Sequence, residues 1–381
     1  MEIHGHCDDR FSGVLKAFEN NFTNNHEVGA CFAATLEGEF VVDIWAGYQD
    51  EAKARPWVED TIINVYSTTK TMTFLCALML ADRGQLDLGA PVVNYWPEFG
   101  AQGKEGVLVK HLLAHSAGLP GFSRRITAQE LYDWDFICAD LAGQASWWET
   151  GTQSGYHAIT QGFLIGEVIR RITGKSFGTF FKDEVAAKLG ADFHIGVAPQ
   201  DFDRIADVLQ DIRPAALDEV NEFMDMDPES IAARALDGLD MTEDDMASAE
   251  WREAEIPAAN GHGNAKSVVT AQTAMANGGT AFGIELLSPD GCSRALEPQT
   301  DGIDLVMGLP ITYCMGYAKK SNIVQFGSDE GTIFWGGAGG SSIVIDTQAH
   351  VCVSYVMNQM SNDLLGDKRA NNLGLALYDG L

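Results

Sequence analysis

The stretch Ser67-Thr68-Thr69-Lys70 begins an apolar run and decides how the rest of the chain is interpreted. Apolar residues follow it at helical spacing: Met72, Leu75, Cys76, Leu78 and Met79. This pattern predicts a helix over 69–83. Because residues three apart share one face of a helix, we expect the Lys70 amine to reach the Ser67 hydroxyl.

The position of Lys70 favours a neutral amine. A helix N-terminus disfavours an ammonium group and burial adds to that effect, so we expect the pKa of Lys70 to fall toward neutrality. A neutral amine beside a hydroxyl makes an activated nucleophile. Ser67 also fits an ordinary N-cap, and the tetrapeptide alone does not distinguish the two interpretations.

A second candidate is Tyr156, in the stretch Gly155-Tyr156-His157-Ala158 just before a helix predicted over 159–173. From that position the phenol can project into a cleft. A neighbouring ammonium group would lower the pKa of Tyr156 and make the phenol a proton carrier. The alternative is a tyrosine that packs its ring in the core and bonds its hydroxyl to the main chain.

The third candidate is a glycine-rich stretch at 334–341, which contains Trp335, Gly336, Gly337 and Ala338. Glycines in or after a strand let a ligand or another backbone segment approach closely. A main-chain N–H in this stretch could serve as one arm of an oxyanion hole. A turn between two strands explains the glycines equally well.

Strand-like segments lie at both ends of the chain, and helical segments fill the middle. Strands are predicted over 28–36 and 40–47, around a turn at 37–38, and over 313–317, 331–335, 342–346 and 351–358. Helices are predicted over 11–22, 69–83, 109–115, 159–173, 177–189 and 363–378. We therefore expect an α+β fold, in which both termini build one antiparallel sheet flanked by helices.

The expected domains are a discontinuous sheet domain, 1–60 with 300–381, and an inserted, mainly helical domain, 61–299. The helical domain carries Ser67, Lys70 and Tyr156. It includes an acidic excursion at about 203–255, where 17 Asp and Glu residues stand against four Arg. We expect this segment to be solvated and partly helical, and a lid over a site is the alternative.

The charge balance excludes two classes of partner. The 381-residue chain has 25 Lys and Arg against 54 Asp and Glu, a net charge of −29. Nucleic acids and anionic lipids need a basic face, so we expect neither to bind.

Apolar runs, the N-terminal residues and the cysteines indicate the cellular compartment. No run approaches the roughly 20 apolar residues that span a bilayer, and residues 1–10 lack the pattern of a secretory signal. Seven scattered cysteines without a Cys-x-x-Cys pair argue against a disulfide framework or a structural zinc site. We expect a cytoplasmic protein.

Together the three stretches resemble the serine β-lactamase and penicillin-binding-protein superfamily, in which Ser-x-x-Lys, a tyrosine and a glycine-rich strand occur in this order. Further similarity lies at 86–88, 111–119 and 260–262, and it covers roughly residues 10–378. In detail the chain looks most like family VIII carboxylesterases.

This resemblance implies a set of roles. Ser67 would be the nucleophile, and Lys70 and Tyr156 would share the proton transfers. The N–H groups of Ser67 and Ala338 would form the oxyanion hole. The substrate would be a small-molecule ester, and no metal or other cofactor would be required.

Two departures from the superfamily pattern bear on the substrate. Trp335-Gly336-Gly337 stands where β-lactamases and peptidases have Lys-Thr-Gly, so the cation that holds a lactam carboxylate is missing. Tyr156-His157-Ala158 stands where they have Tyr-x-Asn, so the partner of the substrate amide is missing. Both losses favour simple esters. We expect substrate contacts at Trp335, Gly336, Gly337, His157 and His262, although His262 fits a structural role in its loop as well.

Several weaker patterns and alternatives stay open. The Gly-x-Ser-x-Gly stretch at 174–178 matches a hydrolase nucleophile elbow, but the residues before Ser176 are predicted to be helical, where an elbow needs a strand. His4, His6 and Cys7 could bind a metal, although we expect a frayed terminus there. The alternative activity is that of a β-lactamase or D-amino-acid peptidase. The alternative without catalysis is an idle scaffold or acyl-binding protein of the same fold. A homo-oligomer is compatible with the sequence.

Overall fold

A nine-stranded antiparallel sheet forms the centre of the protein, whose computed structural model describes residues 1–210, 227–362 and 365–381. In chain order its strands are β1 (His4–Cys7), β2 (Gly29–Leu36), β3 (Glu39–Gly47), β4 (Thr300–Ile303), β5 (Pro310–Tyr313), β6 (Ala318–Lys319), β7 (Thr332–Gly336), β8 (Ser342–Asp346) and β9 (Val351–Met357). Across the sheet they are arranged β1-β3-β2-β9-β8-β7-β6-β5-β4. Both chain ends contribute strands to one sheet, which confirms the expected α+β architecture.

The N-terminal and C-terminal segments meet inside the sheet, where β9 pairs with β2. The register runs from Val351 opposite Leu36 to Met357 opposite Ala30. All of β9 is buried, and so is all of β2 except Leu36. Strands buried on both faces require cover on both sides of the sheet.

Helices supply this cover. The α-helices are α1 (Ser12–Asn24), α2 (Lys70–Asp82), α3 (Val109–Leu113), α4 (Ala128–Leu131), α5 (Trp134–Gly143), α6 (Thr160–Thr173), α7 (Phe177–Phe181, continued by a π-helical turn Lys182–Ala186 and by Ala187–Leu189), α8 (Ile231–Asp237), α9 (Glu243–Ala247), α10 (Ala249–Glu253), α11 (Ala265–Ala276), α12 (Pro289–Ser293) and α13 (Lys368–Tyr378). Successive residues of β9 face opposite sides: Cys352 contacts α11, and Val353 faces the α13 side.

Most predicted elements are present, with small shifts at their ends. The β2–β3 hairpin turns at Glu37 and Gly38, which both have positive φ (52° and 85°), as a two-residue hairpin turn requires. Helices α2 and α6 lie within the predicted ranges 69–83 and 159–173. Gly174 ends α6 with a φ of 71°, the left-handed conformation typical of a helix C-terminus.

The predicted strand over 313–317 is wrong. Tyr313 ends β5, and the N–H of Cys314 donates to the carbonyl of Tyr317 (2.8 Å), which closes a tight turn before β6. Gly316 makes this turn possible with a φ of 104°. The apolar residues at 314–317 therefore belong to a turn and not to a strand, and they are apolar because their side chains pack into the core.

The two chain ends also differ from the prediction. The C-terminal helix begins at Lys368, where the Asp367 side chain caps it, and positions 363–364 lie outside the described residues. The N-terminus is not frayed, because β1 pairs with β3 over its whole length. His4 lies opposite Trp45 and stacks on its ring, with the centroids 6.4 Å apart. Within the described ranges, no three His, Cys, Asp or Glu side chains are grouped closely enough to hold a metal.

Part of the acidic excursion packs against the helical region. Residues 227–255 form α8, α9, α10 and a short strand, Leu239–Asp240, which pairs in parallel with Ile126–Thr127. Trp251 of α10 is buried and donates its indole N–H to Asn64 (2.7 Å). Residues 211–226, the centre of the predicted excursion, lie outside the described residues.

The structure contains neither disulfide bonds nor, among the described residues, a membrane-spanning helix. All seven cysteines are free; Cys7 is half-buried and the other six are buried. In the part of the chain that the structure describes, no helix is both long enough and apolar enough to cross a bilayer. Noncovalent contacts therefore hold the two chain ends together.

A buried ionic cluster is one of these contacts. Arg369, at the start of α13, donates to Glu27 (3.2 Å) and to Asp367 (2.7 Å). We call Glu27, Asp367 and Arg369 the arginine cluster. Tyr355 of β9 also donates its hydroxyl to Glu27. Burial raises the pKa of Glu27 to about 7, although Arg369 and Tyr355 act in the opposite direction.

The raised pKa of Glu27 predicts a pH-dependent effect on stability. A carboxyl group that holds its proton more tightly in the folded state stabilises the fold below its unfolded pKa, and this contribution is lost as pH rises toward 7. Glu27→Gln, which stays neutral, should therefore gain stability relative to wild type between pH 5 and pH 8, by about 2 kcal/mol. Urea unfolding of both proteins at the two pH values measures this difference. Glu19→Gln, an exposed change on α1, serves as the control. If the stability difference between Glu27→Gln and wild type were the same at pH 5 and pH 8, the raised pKa of Glu27 would be contradicted.

Candidate active site

Ser67 lies in a 3₁₀ turn, Tyr66–Thr69, that leads directly into α2. Tyr66 has a φ of +46°, a left-handed conformation that residues other than glycine rarely adopt and that collects at functional sites. Ser67 makes no capping hydrogen bond at the start of either helical segment, which excludes the N-cap interpretation. Its side chain is partly exposed.

Two threonines tie this turn to other segments. Thr69 Oγ1 accepts a hydrogen bond from the N–H of Gly261 (2.9 Å). The hydroxyls of Thr68 and Ser341 lie 2.9 Å apart, and Ser341 also donates to the carbonyl of Val65 (2.8 Å). This turn, Tyr66–Thr69, which we call the serine turn, is therefore anchored both to the loop before α11 and to the glycine-rich stretch.

Lys70 has no exposed surface, and oxygen atoms surround its amine. Nζ lies 3.1 Å from Ser67 Oγ. It also lies 2.6 Å from the carbonyl oxygen of Ala158 and 2.8 Å from that of Ala258. No carboxylate of the described residues offsets the burial, which lowers the pKa of Lys70 well below its usual value. This environment favours the neutral amine.

The phenol of Tyr156 donates a hydrogen bond to Ser67 Oγ (2.6 Å). Lys70 Nζ lies 4.8 Å from the centre of its ring. Burial raises the pKa of Tyr156, and the hydrogen bond to Ser67 offsets only part of this effect. The expected fall in this pKa is therefore wrong: Lys70 is itself buried without its charge stabilised, so it supplies no cation to a phenolate.

Asp304 holds the main chain of Tyr156, and no sequence pattern pointed to it. This buried carboxylate accepts from the N–H groups of Tyr156 (3.0 Å), Val306 (2.9 Å) and Met307 (2.8 Å). Its second oxygen accepts from the hydroxyl of Tyr313 (3.1 Å). A loop between β4 and β5 thus positions a tyrosine almost 150 residues earlier in the chain.

The glycine-rich stretch brings the end of β7 against the serine turn. A Cβ atom on Gly337 would lie 2.2 Å from Val65 O and 3.2 Å from Ser67 N, so only glycine fits. Residues 337–341, which we call the glycine turn, are closed by a bond from Gly337 N–H to Ser341 O (2.8 Å). Ala338 is exposed in this turn, and among residues 1–210, 227–362 and 365–381 its N–H meets no acceptor. A free N–H near a nucleophile is what an oxyanion hole requires.

Trp335 does not face the substrate as expected. Its side chain has no exposed surface and packs against the rings of Tyr156 (centroids 5.4 Å apart) and Tyr313 (5.7 Å). The expected substrate contact at Trp335 is therefore wrong, because its position on β7 directs the indole behind Tyr156. Gly336 is partly exposed at the end of the same strand, and its contact with a substrate stays a proposal.

His157 is also fully buried. Its Nε2 accepts from a main-chain N–H of Leu119 (3.1 Å), which leaves Nδ1 to donate to the carbonyl of Gly155 (2.6 Å). Burial lowers its pKa to about 3, so the ring is neutral. The expected substrate contact is wrong for His157, because both ring nitrogens already bond the main chain.

His262 lies in a short ladder, opposite Asn64. Its ring is 2% exposed, its Nδ1 bonds the carbonyl of Asn260 (2.8 Å), and burial lowers its pKa to about 3. His262 also lines a cavity of about 250 Å³, together with Tyr66. These contacts favour the structural role, and a substrate contact at His262 stays a proposal.

The second serine motif has no place in this site. Ser176 caps α7: its Oγ accepts from the N–H of Thr179 (3.3 Å) and donates to Glu255 (2.7 Å). Helix α6 precedes it, so the strand that a nucleophile elbow requires is absent from this part of the described chain. Ser176 is a helix cap.

A family model described as "Beta-lactamase" matches residues 15–377. The chain belongs to the β-lactamase family. The match spans the serine turn, the tyrosine and the glycine turn, which meet at one point of the fold. The predicted membership in this superfamily is confirmed.

Individual members of the β-lactamase family are similar to this chain over nearly its full length. The esterase/β-lactamase LipL of Mycobacterium tuberculosis is 33% identical over 388 residues, covering 98% of this chain and 87% of LipL. The crystal structure of a family VIII carboxylesterase has a TM-score of 0.92 at 38% identity. That of a penicillin-binding-protein homologue from Caulobacter crescentus has a TM-score of 0.90 at 35% identity. Both structural matches cover 100% of each chain. The prediction of a β-lactamase-like serine hydrolase similar to family VIII carboxylesterases is confirmed.

The close approach of the glycine turn to Ser67 predicts losses of stability of different size for two neighbouring glycines. Gly337→Ala places a Cβ 2.2 Å from Val65 O, so it should lower the free energy of unfolding by about 2 kcal/mol. Gly336→Ala is the matched control: its nearest contact would be 3.2 Å, and the loss should stay below about 1 kcal/mol. Chemical denaturation measures both. Equal stability of the two variants would contradict the described packing.

Proposed function

We propose that this chain hydrolyses small carboxylic esters through an acyl-enzyme on Ser67, with Lys70 as general base and Tyr156 as proton carrier. The observation that carries the proposal is the position of Ser67 Oγ, 3.1 Å from the Lys70 amine and 2.6 Å from the Tyr156 hydroxyl. A nucleophile, a base and a proton donor within hydrogen-bond reach meet the geometric requirement for covalent catalysis. The proposed mechanism uses no metal or organic cofactor.

The hydrogen bonds around Lys70 suit a base that gains and returns a proton. As a neutral amine, it donates to the carbonyls of Ala158 and Ala258 and keeps a lone pair for the hydroxyl of Ser67. As an ammonium group, it has three donors, which the same three oxygen atoms accept. Proton transfer therefore costs no hydrogen bond and needs little rearrangement.

Acylation follows from this arrangement. Ser67 Oγ attacks the ester carbonyl carbon while its proton passes to Lys70, and the N–H groups of Ser67 and Ala338 bind the oxyanion. When the adduct collapses, the bond to the alcohol breaks and Tyr156 gives its proton to the leaving oxygen. Lys70 then returns its proton to Tyr156. The net result moves one proton from the serine to the alcohol, and water repeats the sequence to release the acid.

The raised pKa of Tyr156 fits this role. A phenol that stays protonated at neutral pH is a donor, and it already donates to the oxygen that attacks the substrate. A phenolate would be costly in this buried position, so Tyr156 regains its proton promptly from Lys70. The tyrosine therefore passes a proton onward and does not serve as the resting base.

The charges near the glycine-rich stretch at 334–341 favour an uncharged substrate. Trp335 occupies the strand position where lactam-binding relatives in the superfamily carry a lysine, and it is buried. Arg369 contacts the glycine turn, but its ion pair with Asp367 already neutralises it. The net charge of −29 repels anions at long range. Esters with short to medium acyl chains need no cation and are the proposed substrates.

Lactam hydrolysis is the second candidate, because one full-length relative is named an esterase/β-lactamase. A lactam would use the same Ser67, Lys70 and Tyr156. It would lose the charge-assisted bond to its carboxylate, which is worth roughly 1.5 to 3 kcal/mol, or about 10- to 150-fold in affinity. Ala158, in place of an amide-binding asparagine, should cost a similar factor.

Removal of the proposed nucleophile tests the assignment most directly. Ser67→Ala should lower kcat/KM for p-nitrophenyl butyrate by on the order of 10³-fold or more, because the covalent route is lost. Ser176→Ala is the matched control, and its rate should stay within a few-fold of wild type. Mass spectrometry after exposure to a fluorophosphonate should show one adduct on Ser67 in the wild type and in Ser176→Ala. Activity that survives in Ser67→Ala and is lost in Ser176→Ala would reverse the assignment, and an unlabelled wild type would favour an idle scaffold.

The substrate class is tested by comparing an ester with a lactam. We expect kcat/KM for a short-chain p-nitrophenyl ester to exceed that for a chromogenic cephalosporin by at least about 10²-fold. Ser67→Ala, measured on both substrates, shows whether one serine serves both reactions. Comparable efficiency on the cephalosporin would sink the esterase proposal and promote lactam hydrolysis.

A further inference from the structure

The arginine cluster contacts the glycine turn at the residues that do not contact Ser67. Arg369 Nη2 donates to the carbonyl oxygen of Gly339 (3.0 Å). A Cβ atom on Gly340 would lie 2.2 Å from Asp367 Oδ2 and 2.9 Å from Arg369 Nη2. The cluster is therefore packed directly against the turn that presents the N–H of Ala338.

Every N–H group of Arg369 has an acceptor. Nε donates to Asp367 (3.1 Å), Nη1 to Glu27 (3.2 Å) and to the carbonyl of Gln359 (2.8 Å). Nη2 donates to Asp367 (2.7 Å) and to Gly339. The side chain is 5% exposed. Because all the N–H donors of this planar guanidinium are bonded, the group is held in one orientation. A lysine ammonium, with three donors, could not make the same set of hydrogen bonds.

The glycine turn has little rigidity of its own. Three of its five residues are glycines, and Gly339 and Gly340 have φ values of 83° and 122°. Glycine gives the backbone wide conformational freedom, whereas an oxyanion-hole donor acts only if its direction is set before reaction. Ser341 holds the end of the turn through Val65. The middle is held at the Gly339 carbonyl, which accepts from Arg369 and from the N–H of Ser361 (2.9 Å).

We propose that Arg369 is a positioning residue for the oxyanion hole. Its guanidinium fixes the Gly339 carbonyl and thereby keeps the N–H of Ala338, in the same turn, directed at the substrate carbonyl oxygen. Arg369 itself touches no substrate. The inference rests on the proposed function, in which Ala338 supplies one arm of the oxyanion hole.

Stability alone does not account for this cluster. Buried ion pairs are often replaced by apolar residues with no loss of stability. The N–H donors of Arg369 instead bond a set of fixed acceptors. One of these acceptors is the carbonyl of Gly339, which belongs to the glycine turn. The cluster therefore couples the packing of α13 to the geometry of the oxyanion hole.

Arg369→Lys tests the role, because it keeps the charge and removes the planar fork. We expect kcat for p-nitrophenyl butyrate to fall by about 10- to 100-fold, with KM within about 3-fold of wild type. Phenylboronic acid, which forms a tetrahedral adduct on a reactive serine, should lose affinity by a similar factor. Arg171→Lys is the matched control: Arg171 also bonds a buried carboxylate, Glu167 (2.6 Å), but it lies on α6. Its kcat and boronate affinity should stay within about 2-fold of wild type.

Asp367→Asn provides a second test of the positioning role, which can be used if Arg369→Lys does not fold. Asparagine still caps α13 but removes the charge that orients the guanidinium, so kcat and boronate affinity should fall together by a smaller factor. Unchanged kcat and boronate affinity in a folded variant would overturn the proposal. Equal losses in Arg369→Lys and Arg171→Lys would also overturn it, since they indicate general destabilisation.

The Ser67→Ala protein separates this proposal from the function on which it rests. If Ser67→Ala is inactive and Arg369→Lys behaves like wild type, only the positioning role of Arg369 fails. If Ser67→Ala stays active, the proposed function fails, whatever Arg369→Lys does.

Discussion

The buried amine of Lys70 has no carboxylate partner among the described residues, and the chemistry of the site depends on this constraint. A buried ammonium without a counter-charge is costly, and the least costly response is to lose the proton. The amine is then a base, and the hydroxyl of Ser67 lies 3.1 Å from it. Burial also raises the pKa of Tyr156, and a neutral Lys70 supplies no cation to oppose this effect, so the phenol remains a hydrogen-bond donor.

Burial among carbonyls does not by itself make a lysine catalytic, as Lys104 illustrates. This residue is 1% exposed and donates to the carbonyls of Ala101 (2.8 Å) and Ala142 (2.9 Å), and burial lowers its pKa to about 8. Its amine meets no hydroxyl among its hydrogen-bond partners in the described structure. The distinguishing feature of Lys70 is therefore the Ser67 hydroxyl, which is held on the same face of one helical turn.

The site also depends on contacts between distant segments of the chain. The serine turn precedes α2, whereas the main chain of Tyr156 is fixed by Asp304, in the loop between two strands of the sheet. Ser341 joins the glycine turn to the serine turn, and Arg369 joins it to α13. Sheet and helices therefore contribute to one candidate site, and the packing between them sets its geometry.

The fold class, the three motifs and the family can be derived from the sequence alone. These features are local or depend on order along the chain: the Ser67–Lys70 spacing follows from helix geometry, and strands at both ends predict a shared sheet. Only the tertiary structure decided which side chains face the site. Trp335 and His157 belong to the motifs in sequence, but Trp335 is buried behind Tyr156 and both ring nitrogens of His157 bond the main chain. Asp304 and Arg369 carry no local signal. The direction of a side chain, and the pKa of a group such as Tyr156, depend on burial by residues far away in the chain, which no short stretch of sequence encodes.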